Sequence, residues 1–283
     1  MPDICRSASP LPIRGVDAHA HVFSRALSMA WARRYSPGYD ATLDQYLTYL
    51  RVSGLSHGVL VQPSFLGTDN SYLLSALQQA PIQLRGVAVV DTGISREMMM
   101  SMAEQGIVGI RLNLMGQALP DFTDPKWKSL LSQVSALGWH VELHRDVEDL
   151  PMLLSALMAY DCKIVIDHFG RPDALLGVEQ PAFAQLLELG LSGRVWLKVS
   201  GIYRLGGDLR QNLTFAQEAM PLLIRAFGTK RLVWGSDWPH TQFEGQMDYG
   251  SAVEQRRQLG WSAQVEQAIL VDAPRSLFGL ACL

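Results

Sequence analysis

Cysteine is the first thing this sequence is short of. Cys5, Cys162 and Cys282 are odd in number, scattered and without a CxxC spacing. That pattern argues against a disulfide framework and for a reducing, cytoplasmic compartment. Charge is also sparse: 18% of residues are charged and the net charge is −3, which gives no basic surface for nucleic acid or an acidic membrane. No apolar run approaches the ~18 residues of a membrane-crossing helix. The stretch to Pro12 is polar and Pro-containing, with no apolar signal core. The expectation is a soluble cytoplasmic protein with neither nucleic acid nor membrane as partner, of an oligomeric state the sequence does not specify. What is plentiful is apolar side chain, 48% of 283 residues. That length and core suit one α/β barrel, typically ~250 residues.

Along the chain, short apolar runs alternate with helical patterns. The first run, Ile13 to Phe23, reads as a strand carrying His19-x-His21 at its C-terminal end. Side chains two apart on a strand share a face, so the two imidazoles are expected side by side. Residues 24–39 are too irregular for a helix and read as an active-site loop. Thr42 and Gln45 form a capping box for a helix with apolar positions at Leu43, Tyr46, Leu47 and Leu50, ending at Gly54. Further strands are expected at 58–64, 84–90, 108–114, 139–144, 163–168, 195–200 and 231–237. Between and after them, helices are expected at 72–79, 96–105, 125–137, 147–160, 182–189, 215–227 and 263–270. Asp69 or Asn70 is expected to cap the first of these, and Met98-Met99-Met100 to pack against the barrel. Eight buried strands without strict alternation, separated by helices, describe a parallel sheet closed into a (β/α)8 TIM barrel. One domain covers 1–283, with an N-terminal extension at 1–12 and a C-terminal helix and tail at 262–283.

Chemistry in such barrels gathers at the C-terminal strand ends. Read in turn, those ends carry His19 and His21, Gln62 and Ser64, Arg111 and Asn113, His144, His168, Lys198 and Ser200, then Asp237 and His240. Each alone reads as a satisfied core residue. Four histidines and an aspartate on the ends of four strands read as one centre.

His19-x-His21, His168 and Asp237 resemble the amidohydrolase superfamily. Gly235-Ser236-Asp237-Trp238-Pro239-His240 and the tail 272–279 resemble its amidohydrolase family 2 branch. Within that branch, Tyr35-Ser36-Pro37, Val61-Gln62-Pro63-Ser64, Gly67-Thr68-Asp69-Asn70, Gly109-Ile110-Arg111-Leu112-Asn113 and Asp167-His168-Phe169-Gly170-Arg171-Pro172 are similar to the 2-pyrone-4,6-dicarboxylate lactonases. The resemblance implies hydrolysis of a lactone ester in aromatic-compound catabolism, with Asp237 as general base toward water. It implies that His19, His21 and His168 polarise the carbonyl. Arg111, Arg171 and Arg204 would hold substrate carboxylates, with Tyr35, Gln62, Ser64, Asn70 and Asn113 around the ring.

Two matters stay open at this point. These lactonases are understood to work without a metal, yet His19, His21, His144 and Asp237 make up the ligand set of a mononuclear Zn²⁺ or Mn²⁺ site. Either no cofactor or one divalent metal fits. The alternatives to a lactonase are a zinc-dependent decarboxylase of the same branch and a barrel that binds a carboxylate without turning it over.

Overall fold

The computed structural model describes residues 12–80 and 83–280. Cys5, Cys282 and residues 1–11 of the expected extension lie outside them. Cys162 is buried as a free thiol. Eight strands occur in the expected order: β1 Val16–Ala20, β2 His57–Val61, β3 Leu84–Ala88, β4 Ile107–Asn113, β5 His140–His144, β6 Lys163–Ile166, β7 Val195–Lys198 and β8 Leu232–Val233. Each pairs in parallel with its sequence neighbour. The ring closes where the Ala18 N–H donates to Trp234 O and the Asp237 N–H to His19 O, both at 2.8 Å.

Among the described residues ten α-helices accompany the strands: α1 Leu43–Val52, α2 Ser71–Gln79, α3 Arg96–Glu104, α4 Pro125–Ala136, α5 Leu150–Leu157, α6 Pro181–Gly190, α7 Leu209–Phe227, α8 Tyr249–Gln258, α9 Ala263–Gln267 and α10 Ala273–Phe278. The Thr42–Gln45 capping box opens α1 as expected. Before α2, Asp69 accepts from the Ser71 N–H, while the Asn70 side chain makes no cap bond. Helix α7 begins six residues earlier than its apolar pattern, because Asp208 and Gln211 form a second capping box. Helix α8, which follows β8, has a polar sequence and no clear apolar stripe, and the pattern reading missed it. Of the run Met98-Met99-Met100 in α3, Met99 is buried while Met98 and Met100 face solvent; Met102, further along the helix, is buried too. No helix among the described residues is long and apolar enough to cross a membrane.

Two apolar layers hold the barrel. The larger lies between sheet and helices. A smaller one fills one end of the barrel with Val16, Ala18, Val59, Val61, Val87, Val165 and Val233, packed on Leu277 and Phe278 of the tail. Above that valine layer the interior turns polar, which is where the site begins.

β1 departs from the simple period. Between Asp17 and Ala20 it carries one residue more than the facing Gly58–Leu60 of β2. Such a bulge re-aims side chains. Asp17 meets Ser236 and Tyr249 of α8, whereas His19 meets β5 and β7 side chains inside the barrel. Asp17 is fully buried and accepts from the Ser236 N–H at 2.8 Å, the Ser236 Oγ–H at 2.6 Å and the Tyr249 hydroxyl at 3.1 Å. Burial pushes its carboxyl above the usual value despite those donors. The clasp ties β1 to the loop that carries Asp237. Asp17→Ala should therefore reduce unfolding stability by about 3–5 kcal/mol, because it strands three buried donors. A urea titration by circular dichroism measures the change.

Candidate active site

The histidine pair anchors the site. His21 Nδ1–H donates to Val61 O at 2.7 Å, which fixes its tautomer and leaves the Nε2 lone pair inward. His19 Nε2 lies 3.2 Å from His21 Nε2, and each is 3.7 Å from Asp237 Oδ1. The two imidazoles stand side by side, as the spacing predicts.

Beneath them is a buried ionic cluster that sequence reading did not assemble. Lys198 Nζ donates to Glu142 Oε2 at 2.5 Å and lies 2.9 Å from His19 Nδ1. Asp167 Oδ1 is 3.3 Å from that same nitrogen. Asp167 Oδ2 accepts from Arg111 Nε and Nη2 at 3.0 and 2.9 Å. Lys198, Glu142, Asp167 and Arg111 therefore balance one another in the barrel interior, as buried charges must. Asp167 was visible beside His168, but only the barrel geometry turns it inward beneath His19.

Asp237 uses its two oxygens differently. Oδ2 accepts from the Tyr203 hydroxyl at 2.6 Å and from Arg204 Nε at 2.5 Å. Oδ1 faces the two histidine Nε2 atoms. Burial works to raise this carboxyl, but the Arg204 guanidinium and neighbouring imidazoles outweigh it and hold it well below the usual range. Asp237 is thus an ionised carboxylate with one oxygen restrained and one turned to the centre. His168 Nδ1 lies 3.0 Å from Ser200 Oγ, and its Nε2 is 3.8 Å from Asp237 Oδ2. Burial pushes His168 down to about 3, so it is neutral at ordinary pH.

The local backbone is held for this arrangement. His168, Phe169, Arg171, Asp237, His240 and Gln242 all have positive φ, a conformation that non-glycine residues seldom adopt. All six lie in the loops after β6 and β8, where strain of this kind marks functional geometry. Gly201 is needed beside them: its φ is +62°, and a Cβ there would lie 2.7 Å from His168 Nδ1.

Above the centre opens a cavity of about 170 Å³, lined by His21, His144, His168 and Asp237 and by Arg34, Arg111, Arg171 and Arg204. It is smaller than the ~300–1,000 Å³ of drug-sized sites. Its four arginines make it a basic cavity, although three of them already face a carboxylate. Tyr35, Ser64 and Asn113 also line it, as the sequence suggests. Gln62 and Asn70 do not. The Gln62 amide donates to Asp69 O at 2.8 Å, and Asn70 exchanges bonds with the Val89 N–H and O. Both are buried braces that shape the loop after β2.

Three expected roles change. Arg111 lines the cavity, but its Nε and Nη2 are taken by Asp167. Arg204 pairs with Asp237 instead of standing free, and it stacks on Tyr203 and Phe243. His144 stands apart from the other expected metal ligands, although its Nε2 is buried without a partner. Its Nδ1 faces Arg111 Nη2 at 3.2 Å, and it joins neither convergent donor group among the described residues. Those groups are His19–His21–Asp237 and His19–Asp167–His168. Arg34, Tyr203, Gln242 and Phe243 belong to the site and were missed, since they stand on loops without periodic signal.

His19 Nε2, His21 Nε2 and Asp237 Oδ1 fit a single divalent ion with a fourth position open. With its proton on Nδ1, toward Asp167, His19 offers Nε2 as a ligand. With Lys198 donating to Nδ1, Nε2 carries the proton and becomes a donor to an oxygen. His19 thus serves either a cation or a carbonyl, according to which neighbour holds its Nδ1, while His21 presents a lone pair in both cases.

The amidohydrolase family model matches residues 16–280. A 2-pyrone-4,6-dicarboxylate hydrolase of Comamonas testosteroni is 33% identical over 280 residues, covering 95% of this chain and 91% of the relative. A crystal structure from Pseudomonas putida, assigned as a 2-pyrone-4,6-dicarboxylic acid hydrolase, is 56% identical with a TM-score of 0.92, over 96% of this chain and all of that one. Another, from Acinetobacter baumannii, given the same assignment and solved with citric acid bound, is 42% identical with a TM-score of 0.90, over 94% and 99%.

Proposed function

The chain belongs to the amidohydrolase family, and from that premise we propose that it is a lactonase that opens 2-pyrone-4,6-dicarboxylate or a related carboxylated lactone. The observation that carries this reading is the pairing of one inward carboxylate oxygen, Asp237 Oδ1, with an arginine-lined anion cavity. The similarity to hydrolases of this pyrone supports it.

On this reading a water beside Asp237 Oδ1 attacks the lactone carbonyl, and its proton passes to the carboxylate. The ring C–O bond then breaks, and the proton goes on to the leaving ring oxygen, so that water is consumed and a carboxylic acid is formed. Histidine N–H groups and nearby guanidinium charge stabilise the oxyanion. His168 is suited to this as a neutral imidazole. Arg204 and Tyr203 keep Asp237 ionised and oriented. An ion held by His19, His21 and Asp237 would supply Lewis-acid polarisation of the same carbonyl.

The decarboxylase alternative uses His144 beside His19, His21 and Asp237 as a metal ligand, and His144 lies outside that convergent group with its Nδ1 toward Arg111. A binding protein has no use for an oriented, ionised carboxylate at the centre. Purified protein should open 2-pyrone-4,6-dicarboxylate with loss of its ultraviolet absorbance and without CO₂ release. A lactone panel that includes this pyrone, run with chelator and with added Zn²⁺ or Mn²⁺, tests the reading. Turnover of none of its members would remove it.

A further inference from the structure

Three of the four arginines around the cavity already face a carboxylate. Arg111 Nη2 lies 2.9 Å from Asp167, Arg204 Nε 2.5 Å from Asp237, and Arg171 Nε 3.5 Å from Asp146. Arg34 differs. Its Nη2 donates to a neutral acceptor, Asn113 Oδ1, at 3.1 Å, and among the described residues it forms no ion pair. It is the lining cation whose charge is left for a ligand.

Arg34 is exposed at the rim of the cavity, and its loop sets its placement. Arg34 comes from the loop between β1 and α1, which is pinned across the mouth on both sides. The Ala30 N–H donates to Phe65 O at 2.8 Å, and the Tyr35 hydroxyl donates to Glu244 on the loop after β8. The bond to Asn113, at the end of β4, holds the guanidinium against the cavity wall. Burial, together with the like charges of Arg111, Arg171 and Arg204, draws its pKa below the ordinary arginine value. An anion in the cavity relieves that repulsion, and a guanidinium matches a carboxylate with two parallel N–H bonds.

We propose that Arg34 is a specificity-determining residue that receives one of the two carboxylates of a dianionic lactone, with Asn113 holding its guanidinium in place. This rests on the lactonase reading and narrows it to substrates with two acidic groups. The ring is then fixed at two points, one carboxylate at the mouth and the lactone carbonyl over His19, His21 and Asp237.

The test compares wild type, Arg34→Met and Arg34→Lys on 2-pyrone-4,6-dicarboxylate and on the two pyrones that each lack one carboxylate. Arg34→Met should raise KM for the diacid about tenfold or more with little change in kcat, the signature of lost uniform binding. It should penalise one monoacid and leave the other unchanged, and Arg34→Lys should recover part of the loss. Equal effects on both monoacids, or none on the diacid, would overturn the assignment. Titration calorimetry with benzene-1,3-dicarboxylate separates the two ideas. If wild type opens no lactone, the lactonase reading fails. Weaker binding of that dianion by Arg34→Met, by about tenfold, would still support Arg34 as its receptor, and unchanged binding would overturn it.

Discussion

Replacing Asp237 with Asn should lower kcat for lactone opening by about 10²–10⁴-fold, the range for loss of a general base, while leaving the protein folded. The amide has the shape of the carboxylate. Its oxygen can take the Oδ2 position and still accept from the Tyr203 hydroxyl and Arg204 Nε. The NH2 then replaces Oδ1, facing His19 and His21 Nε2 from 3.7 Å. A donor stands where an acceptor is required, so water cannot give up its proton there. Single-turnover kinetics measure the loss, and titration calorimetry with a dicarboxylate checks that the cavity still binds. A decrease of less than about tenfold in the chemical step would remove Asp237 from the role of base.

The reasons why the sequence reveals some of this site and hides the rest are physical. His19, His21, His168 and Asp237 stand at or just beyond the ends of buried strands. A parallel barrel sends those ends to one mouth, so their convergence follows from topology alone. The pairings among charged residues do not follow. Asp167 is adjacent to His168, but its choice of Arg111 depends on how far β4 and β6 lean toward each other. Lys198 was seen as a strand end, while its contact with His19 depends on the extra residue in β1. Arg34 and Phe243 stand on loops, where neither the strand nor the helix period constrains a side chain. Gln62 and Asn70 show the opposite error. Their motif is right, but both amides are used up on backbone groups of the β2 loop, which no pattern of residue types reveals. Element types follow from periodicity, whereas α8 escaped because its polar sequence carries little apolar signal.

The second large effect concerns Arg204, which the sequence suggested as a substrate clamp and the structure joins to Asp237. Arg204→Met should reduce kcat/KM by about 10²-fold at neutral pH, a loss of about 2.7 kcal/mol of transition-state stabilisation. It should also move the acid limb of the pH–rate profile upward. The direction follows from the forces on Asp237. Burial raises its pKa, and Arg204 is the largest influence opposing burial. The wild-type base, held well below the ordinary carboxylate range, remains ionised as the pH falls through ~5 and keeps its activity there. In the variant, burial acts with far less opposition. The pKa rises, the base gains a proton at a higher pH, and activity is lost as pH falls through that raised value. Arg204→Lys should retain part of the effect, since it keeps the charge but not the geometry of the fork. Tyr203→Phe should shift the limb less, because it removes a neutral donor and leaves the guanidinium in place. Rates from pH ~4 to ~8 on one lactone decide between two roles for Arg204. A raised KM with an unmoved acid limb would make it a substrate clamp; a shifted limb makes it the residue that keeps the base charged.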